Sequence, residues 1–212
     1  MPDPINLTLF FSAALLLAIT PGPGIFYVMT RSLKGGKAEG FASTLGTAVG
    51  GLVHVVAAAL GISVVLATSA LAFNLVKYVG AAYLIYLGLK TLFDEGEMPV
   101  AADLDIAVTG SRRAFWQGVV VEALNPKTAL FFLAFIPQFV DPAGIIFAQF
   151  LLLGTISVLL NTSADFVVVM MAGPIGERLQ TSHRLRVGQR WFTGSGLIAL
   201  GSYVALTGEH RG

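Results

Sequence analysis

Two long stretches of this chain contain no charged side chain. Residues 4–30 contain none, and residues 40–76 contain none apart from the histidine at position 54. A membrane-spanning helix needs about 20 consecutive apolar residues, so the first stretch is long enough for one crossing and the second for two. We therefore predict helices that span a membrane, with a tight turn near Thr68 and Ser69 between the second helix and the third.

The composition of the whole chain agrees with this prediction. Of 212 residues, 55% are hydrophobic and 12% are charged, and the mean hydropathy is +0.79. Soluble domains carry about 25% charged residues, so an ordinary soluble enzyme, a coiled coil and a disordered chain are excluded. The net charge of +1 predicts no nucleic-acid partner, and the lack of cysteine removes thiol nucleophiles and thiolate metal sites. We expect no cofactor and no bound metal.

The predicted fold class is all-α, a polytopic bundle of six transmembrane helices. The predicted spans are residues 5–30, 41–67, 71–93, 114–138, 145–171 and 190–208. Most of the 13 Lys and Arg residues fall at the first, third and fifth connections, so the positive-inside rule places these in the cytoplasm and both termini outside. The N-terminus lacks the basic segment of a signal peptide, because Asp3 is its only charge, so we expect the first span to be retained.

The two halves of the sequence share local patterns. Residues 18–21 align with residues 123–126, and residues 77–88 align with residues 190–201. Three spans per repeat is an odd number, so the repeats must insert with opposite topology, and inverted repeats with broken helices are typical of transporters. The alternative is chance similarity between apolar segments. The predicted units are a first repeat over residues 1–93, a cytoplasmic linker over 94–113 and a second repeat over 114–212.

Each repeat begins with a helix that proline interrupts. Thr20-Pro21-Gly22-Pro23-Gly24 lies deep in the first span, and Asn125-Pro126 lies in the fourth. Thr20 and Asn125 each resemble an N-cap followed by proline at the first helical position. We expect a half-helix to start at each break, where free amides and a partial positive charge suit an anion such as a carboxylate.

Charged and polar residues lie close to these breaks in the sequence. Lys127 adds a positive charge beside the second start, and Glu122 is three residues before Asn125 on the same helix face. Lys127 could instead snorkel, and Glu122 with Lys127 could form a purely structural ion pair. In the fifth span a polar stripe recurs at spacings of 3, 4 and 4, made of Gly154, Ser157, Asn161 and Asp165.

The two acids inside the predicted spans are Glu122 and Asp165. Each is a candidate partner for an ammonium group, for Lys127 or for a transported proton. Asp165 could alternatively be solvated near the cytoplasmic end of its span. In the second span the helix-packing motif Gly46-x-x-x-Gly50 places His54 in the bundle interior. There the imidazole could relay protons or simply hydrogen-bond a neighbouring helix.

The chain resembles the LysE/RhtB family of amino-acid exporters. The motifs that carry the resemblance are Thr-Pro-Gly-Pro at residues 20–23, Asn-Pro-Lys-Thr-Ala-Leu-Phe-Phe at 125–132 with Pro-Gln-Phe-Val at 137–140, and residues 77–84 with 87–88. The resemblance implies export of amino acids across the bacterial inner membrane by proton antiport. Two positions depart from the family pattern, because Gly24 and Glu122 both stand where the family usually has asparagine.

The leading hypothesis is therefore a secondary exporter of amino acids or similar zwitterions in the inner membrane. Its partners would be the amino acid, protons and membrane lipid, and a homo-oligomer is possible. The predicted substrate-binding residues are Thr20, Pro21, Gly22, Pro23, Gly24, Glu122, Asn125, Pro126 and Lys127. The predicted proton-coupling residues are Glu122, Asp165 and His54.

Three other classes compete with this hypothesis. A metal exporter of the wider superfamily would need a ligand cluster, but the three histidines are scattered and cysteine is absent. An intramembrane hydrolase could use Ser195 as nucleophile and His54 as base, although a serine between small residues in a span is usually a packing residue. A passive channel is disfavoured because not every predicted helix carries a long polar stripe.

Overall fold

The computed structural model describes residues 4–20, 22–68, 70–93, 110–141, 144–172 and 183–206. Within these ranges the chain is helical and contains no β-strand, which confirms the all-α class. The helices are α1 (Pro4–Ile19), α2 (Pro23–Thr68), α3 (Ala70–Phe93), α4 (Ser111–Ala123), α5 (Pro126–Leu130), α6 (Ile146–Met171) and α7 (His183–Leu206). Most of the predicted linker, residues 94–109, lies outside the described residues.

Length and composition identify the membrane-spanning segments. Among the described residues, Pro23–Gly61 and Ile146–Met171 are each long and apolar enough to cross a membrane. Ser111–Ala123 and Pro126–Phe139 meet the same requirement together, across a bend of 44°, and would form a third, broken span. Shorter apolar stretches occur in α1 and α3. Large apolar side chains such as Leu52 and Phe192 are exposed on the outside of the bundle, as lipid contact requires.

Both predicted helix breaks are present, and a helix boundary lies where the turn was predicted. The first break separates α1, which ends at Ile19, from α2, and the second separates α4, which ends at Ala123, from α5. Proline begins the second helix in each case, because its missing N–H costs nothing at the first helical position. At the turn, α2 ends at Thr68 and α3 begins at Ala70; Ser69 lies outside the described residues.

The first predicted connection is much shorter than expected. The helix that starts at Pro23 continues beyond residue 30 and is interrupted only at Gly36, where φ is 71° and ψ is −174°. This backbone conformation is open to glycine and strained for other residues. Arg31, which falls in the first predicted connection between spans 5–30 and 41–67, is 2% exposed and pairs across Gly36 with Glu39 at 3.1 Å.

Glycine allows α2 and α4 to pack with their backbones in contact. A Cβ atom built on Gly46 would lie 2.1 Å from the carbonyl oxygen of Phe115, and one on Gly50 would lie 2.6 Å from that of Val119. On α4, a Cβ at Gly118 would lie 2.7 Å from the carbonyl oxygen of Ser43. The predicted helix-packing role of Gly46 and Gly50 is therefore confirmed, and it fixes α4 against the part of α2 around residues 43–50.

The contact between α3 and α7 involves residues that the sequence alignment places at equivalent positions. A Cβ on Gly88 would lie 2.7 Å from the carbonyl oxygen of Gly194, and a Cβ on Gly201 would lie 2.7 Å from that of Ala81. Gly88 with Gly201, and Ala81 with Gly194, are the residue pairs that the sequence alignment equates. Early residues of α3 meet late residues of α7, so the two helices run antiparallel.

Candidate functional site

The two helix breaks lie against each other in the interior of the bundle. A Cβ atom on Gly22 would lie 3.1 Å from the ammonium nitrogen of Lys127, and one on Gly24 would lie 2.6 Å from Oε2 of Glu122. The glycines of the first break thus leave room for the charged side chains of the second. Residues that are about 100 positions apart in the sequence form one site.

Glu122 is at the centre of the site and is 1% exposed. Its Oε1 accepts a hydrogen bond of 2.7 Å from the hydroxyl of Thr128, and its Oε2 accepts one of 3.0 Å from Nδ2 of Asn125. Each carboxylate oxygen therefore has one partner and can accept further hydrogen bonds. These two contacts hold the carboxylate over the start of α2 at Gly24.

Asn125 caps α5 as the sequence predicts. Its Oδ1 accepts a 3.1 Å hydrogen bond from the backbone N–H of Lys127, and Pro126 follows at the first helical position. The corresponding prediction for Thr20 is wrong. The Thr20 hydroxyl donates to the carbonyl of Leu16 at 2.7 Å, in the last turn of α1, and the first hydrogen bond of α2 goes to the carbonyl of Gly22. Two successive Pro-Gly pairs move the helix start past Thr20.

Lys127 is buried, and its ammonium group stabilises the end of α1. Nζ donates to the carbonyl oxygens of Leu17 at 3.2 Å and Thr20 at 2.8 Å. The last carbonyls of a helix lack intrahelical partners and carry partial negative charge, so a cation is favourable there. The structural ion pair between Lys127 and Glu122 that we considered is not formed. Snorkelling is also wrong for Lys127, which is 6% exposed.

Asp165 lies in the interior on α6 and is 1% exposed, so the interpretation of a solvated acid is wrong. Its Oδ2 accepts a 2.9 Å hydrogen bond from the hydroxyl of Thr47 on α2, and its Oδ1 is buried with no hydrogen-bond partner. The stripe that precedes it also faces the protein, because Gly154 and Ser157 are buried. Gly154 packs against Phe132 and Val55.

The side chain of His54 contacts the site through the backbone carbonyl of Glu122. Its Nε2 lies 2.8 Å from the carbonyl oxygen of Glu122, in the last turn of α4. A carbonyl oxygen only accepts, so Nε2 carries the proton in this contact. The prediction of a hydrogen bond to a neighbouring helix is confirmed. The hydrolase alternative required His54 to activate Ser195, but Ser195 is exposed on α7 while the imidazole bonds to α4.

A cavity with about 380 Å³ of space not filled by protein atoms lies beside Glu122. Part of this space is open to the surroundings of the bundle. The chain next to it departs from α-helical geometry, with a π-helical turn at Phe131–Phe135 followed by a 3-10 turn at Ile136–Phe139. The polar residues that line the cavity are Thr47, Glu122, Thr128, Ser157, Asn161 and Thr162, and the apolar ones include Leu17, Phe131 and Phe132.

The predicted site residues take different positions in this arrangement. Of the predicted substrate-binding residues, Glu122 lines the cavity. The predicted substrate-binding residues that are buried without lining the cavity are Thr20, Gly22, Gly24, Asn125 and Lys127. The rings of Pro23 and Pro126 are exposed at the helix starts, and Pro21 lies outside the described residues.

The sequence analysis missed Thr47 as a site residue. Thr47 lines the cavity and bonds to Asp165. It is one residue from Gly46 and two helical turns from His54, so the face of α2 that carries His54 also carries Thr47. That spacing could have identified it.

Apolar helices, two matched breaks and a cavity beside them that is lined by Glu122 define a helical membrane protein of the transporter kind. The sequence profile of the LysE type translocator family matches residues 15–208. The chain therefore belongs to this family, which its motifs predicted.

Several curated proteins are similar to the chain over most of its length. An uncharacterised membrane protein of Bacillus subtilis is 32% identical, over 95% of this chain and 99% of its own. A homoserine/homoserine lactone efflux protein of Salmonella typhimurium is 35% identical, over 77% of each chain. A leucine efflux protein of Salmonella choleraesuis is 28% identical, over 65% of this chain and 64% of its own. No solved structure matches the chain.

Proposed function

We propose that this protein exports amino acids or closely related small molecules across the bacterial inner membrane, in exchange for protons. The observation that carries the proposal is the meeting of the two breaks, which brings Glu122 from the second repeat against Gly24 of the first beside a cavity. Relatives named for the efflux of homoserine and of leucine support the substrate class.

The proposed architecture is the pair of inverted repeats over residues 1–93 and 114–212, joined by the linker 94–113. The antiparallel contact between α3 and α7 supports it, because Gly88 and Gly201 make equivalent close approaches to the opposite helix. In this architecture the substrate site lies on the approximate two-fold axis, between the two breaks. Alternating access would then move one repeat against the other around a fixed site.

In the proposed mechanism, the substrate ammonium lies against Glu122. Asp165 is connected to the cavity through Thr47, which lines the cavity and bonds to Asp165. The substrate carboxylate lies towards the start of α5, because the carboxylate of Glu122 already covers the start of α2 at Gly24. A proton on one of the two acids would weaken ammonium binding, because a neutral carboxyl attracts a cation less strongly. Proton entry from outside would therefore favour release of the substrate there. His54 on α2 would hold the last turn of α4 in position through its hydrogen bond to the backbone carbonyl of Glu122.

Counterflow in proteoliposomes tests the proposal. The purified protein would be reconstituted and screened with labelled homoserine, threonine, leucine and lysine, with and without an imposed pH gradient. We expect saturable exchange that responds to the gradient and is lost in Glu122→Gln. The matched control is Arg112→Gln, which removes an exposed charge from the same helix and should exchange like the wild type. Folded, inserted protein that exchanges none of the four amino acids would contradict the proposal.

A further inference from the structure

The hydroxyl of Thr47 has one proton to donate and two oxygens within reach of it. Its Oγ1 lies 2.9 Å from the backbone carbonyl oxygen of Thr44, one turn earlier on α2, and 2.9 Å from Oδ2 of Asp165 on α6. A carbonyl oxygen only accepts, whereas a carboxyl oxygen accepts when ionised and donates when protonated. With Asp165 ionised, the hydroxyl proton fills one of the two contacts. With a proton on Oδ2, Asp165 donates to Thr47 and Thr47 donates to Thr44, so both contacts are hydrogen bonds.

The second oxygen of Asp165 also favours the neutral acid. Oδ1 is buried and has no hydrogen-bond partner. An ionised carboxylate with one bare oxygen in the interior of a bundle is costly, because nothing there replaces the hydration that it has lost. In the neutral acid the bare atom is an uncharged carbonyl oxygen, and the cost is smaller.

The surroundings of Glu122 differ from those of Asp165, because donors reach both of its oxygens. Nδ2 of Asn125 only donates, and its direction is fixed because Oδ1 of the same amide accepts from the backbone N–H of Lys127. The hydroxyl of Thr128 is within 2.7 Å of the other carboxylate oxygen. Two such donors suit an ionised carboxylate.

The buried charges at the site balance when Asp165 is neutral. Glu122 on α4 and Lys127 on α5 are the charged side chains whose fields act on Asp165. One ionised acid and one ammonium group sum to zero. Helix α1 also packs against α6, and it contains no titratable side chain.

On α2 the titratable side chains that are buried or adjoin the site have other partners. Arg31 and Glu39 pair with each other at 3.1 Å. His54 donates from Nε2 to the backbone carbonyl of Glu122. The balance at the site therefore depends on the protonation of Asp165.

We propose that Asp165 holds the exchanged proton, that the Thr47 hydroxyl connects it to the cavity as a positioning group, and that Glu122 stays ionised throughout the cycle. The inference rests on the proposed transport function and names the residue that carries its proton. Two carboxyl groups in one site thereby take different roles, which their hydrogen-bond partners set.

Thr47 gives the proton a path, because its side chain lines the cavity and contacts Asp165. On release, Oδ2 of Asp165 passes its proton to Oγ1 of Thr47 while Thr47 passes its own proton to a water molecule in the cavity. The products are a carboxylate, an intact hydroxyl that now donates to it, and a hydronium ion. The reverse steps reload Asp165, and the described structure is the proton-loaded form.

Infrared difference spectroscopy on the full-length protein in detergent tests the assignment without any substrate. Exposed carboxyls ionise near pH 4, so between about pH 6 and about pH 9 a protonated-carboxyl band comes from a buried acid. We expect one such band to disappear as the pH rises, to be missing in Asp165→Asn and to remain in Glu122→Gln. A band that persists in Asp165→Asn, a band that is lost in Glu122→Gln, or the absence of any such band in the wild type would overturn the proposal.

Variants of Thr47 test its role and keep the assignment testable if Asp165→Asn does not fold. Thr47→Val removes the hydroxyl that pairs with the acid, so the band should move to higher frequency, whereas Thr47→Ser should keep it at the wild-type position. Ser163→Ala is the matched control, because that hydroxyl is exposed and bonds to the carbonyl of Leu159 within α6. A band that does not move in Thr47→Val would overturn the role of Thr47.

Counterflow of labelled homoserine and leucine separates this inference from the proposed function. The ratio of the rates with and without a pH gradient should fall to unity in Asp165→Asn and Thr47→Val and be restored in Thr47→Ser. A gradient response that survives in Asp165→Asn would overturn the proton assignment and leave the transport function standing. Absence of counterflow in the wild type, with the infrared band assigned to Asp165, would overturn the transport function alone.

Discussion

The carboxylate of Glu122 fills the space over Gly24 that a side chain at position 24 would occupy, with Oε2 only 2.6 Å from where its Cβ would be. The sequence analysis singled out both positions separately, and in the structure they are in contact. The absence of a side chain at position 24 leaves room for the carboxylate of Glu122 at the start of α2.

Gly24→Ala should therefore impair binding more than stability. The added methyl group meets the end of a flexible side chain, which can move, so we expect the free energy of unfolding to fall by less than about 1.5 kcal/mol. The carboxylate shifts away from Gly24, which changes the position of its charge beside the cavity, and substrate affinity should fall about tenfold or more. Titration of substrate and thermal unfolding in detergent measure the two effects. Wild-type affinity in Gly24→Ala would contradict the packing that we describe.

Gly46→Ala, in contrast, should impair stability more than substrate binding. Its Cβ would meet the backbone oxygen of Phe115 at 2.1 Å, and backbone cannot move without separating α2 from α4. We expect the free energy of unfolding to fall by about 1–3 kcal/mol or more. Gly61→Ala is the control, since a Cβ there has no heavy atom within 4 Å, and it should remain within about 1 kcal/mol of the wild type. Equal effects of the two variants in thermal unfolding would argue against close packing at Gly46.

Lys127→Met should destabilise the fold by about 2–5 kcal/mol, because it removes the donor to the end of α1 and leaves two buried acids without a base. Adding Glu122→Gln to Lys127→Met restores the wild-type charge sum and should recover part of the loss. Thermal unfolding of the single and double variants gives the coupling energy. Strictly additive effects would show that the two side chains do not share one electrostatic environment.

The buried pair of Arg31 and Glu39 joins α2 across Gly36 to the start of α4. Tyr27 donates to the carbonyl of Ala114 at 2.7 Å, Arg31 also bonds Gln117, and Glu39 accepts from the backbone N–H of Gly110 at 2.6 Å.

Glu39→Gln should therefore lower the free energy of unfolding by up to about 3–5 kcal/mol, because it leaves a buried guanidinium without its counter-charge. Lys37→Gln removes an exposed charge from the same segment and should change that free energy by less than about 0.5 kcal/mol. Chemical or thermal unfolding in detergent compares the two, and an effect of Glu39→Gln no larger than the control would mean that the pair contributes nothing.

His54→Gln should retain counterflow and its response to the pH gradient, because a glutamine amide can donate to the Glu122 carbonyl as Nε2 does. His54→Ala removes the donor and should cost about 1 kcal/mol of unfolding free energy. Loss of gradient-driven exchange in His54→Gln, with equilibrium counterflow intact, would instead assign His54 to proton coupling.

The helices and their breaks could be predicted because they depend on local properties. Charge-free stretches gave the apolar helices, and proline fixed the starts of α2 and α5. The Asn125 cap could be predicted for the same reason, because its side chain accepts a hydrogen bond from the backbone N–H of Lys127, two residues later in the chain. The Thr20 cap was misread because two adjacent Pro-Gly pairs offered two possible starts, and sequence does not rank them.

The electrostatic arrangement of the site could not be read from local pattern. Lys127 looked like a neighbour of Glu122, but its long side chain reaches across to α1, whose terminal carbonyls attract it. The bond between Thr47 and Asp165 joins residues more than 100 positions apart. Arg31 fell in the first predicted connection because the charge-free stretch ends at residue 30, whereas in the structure Glu39 and Gln117 make its burial within α2 possible.

The central claim is that substrate binds in the cavity where the two breaks meet. Because the protein contains no cysteine, a single Asn161→Cys provides a unique label on the cavity wall, and Ser195→Cys provides an exposed control on α7. The rate of maleimide labelling would be measured with and without a saturating transported substrate. Protection several-fold at position 161 and none at position 195 is the predicted result. Equal labelling rates at position 161 with and without substrate would place the binding site elsewhere.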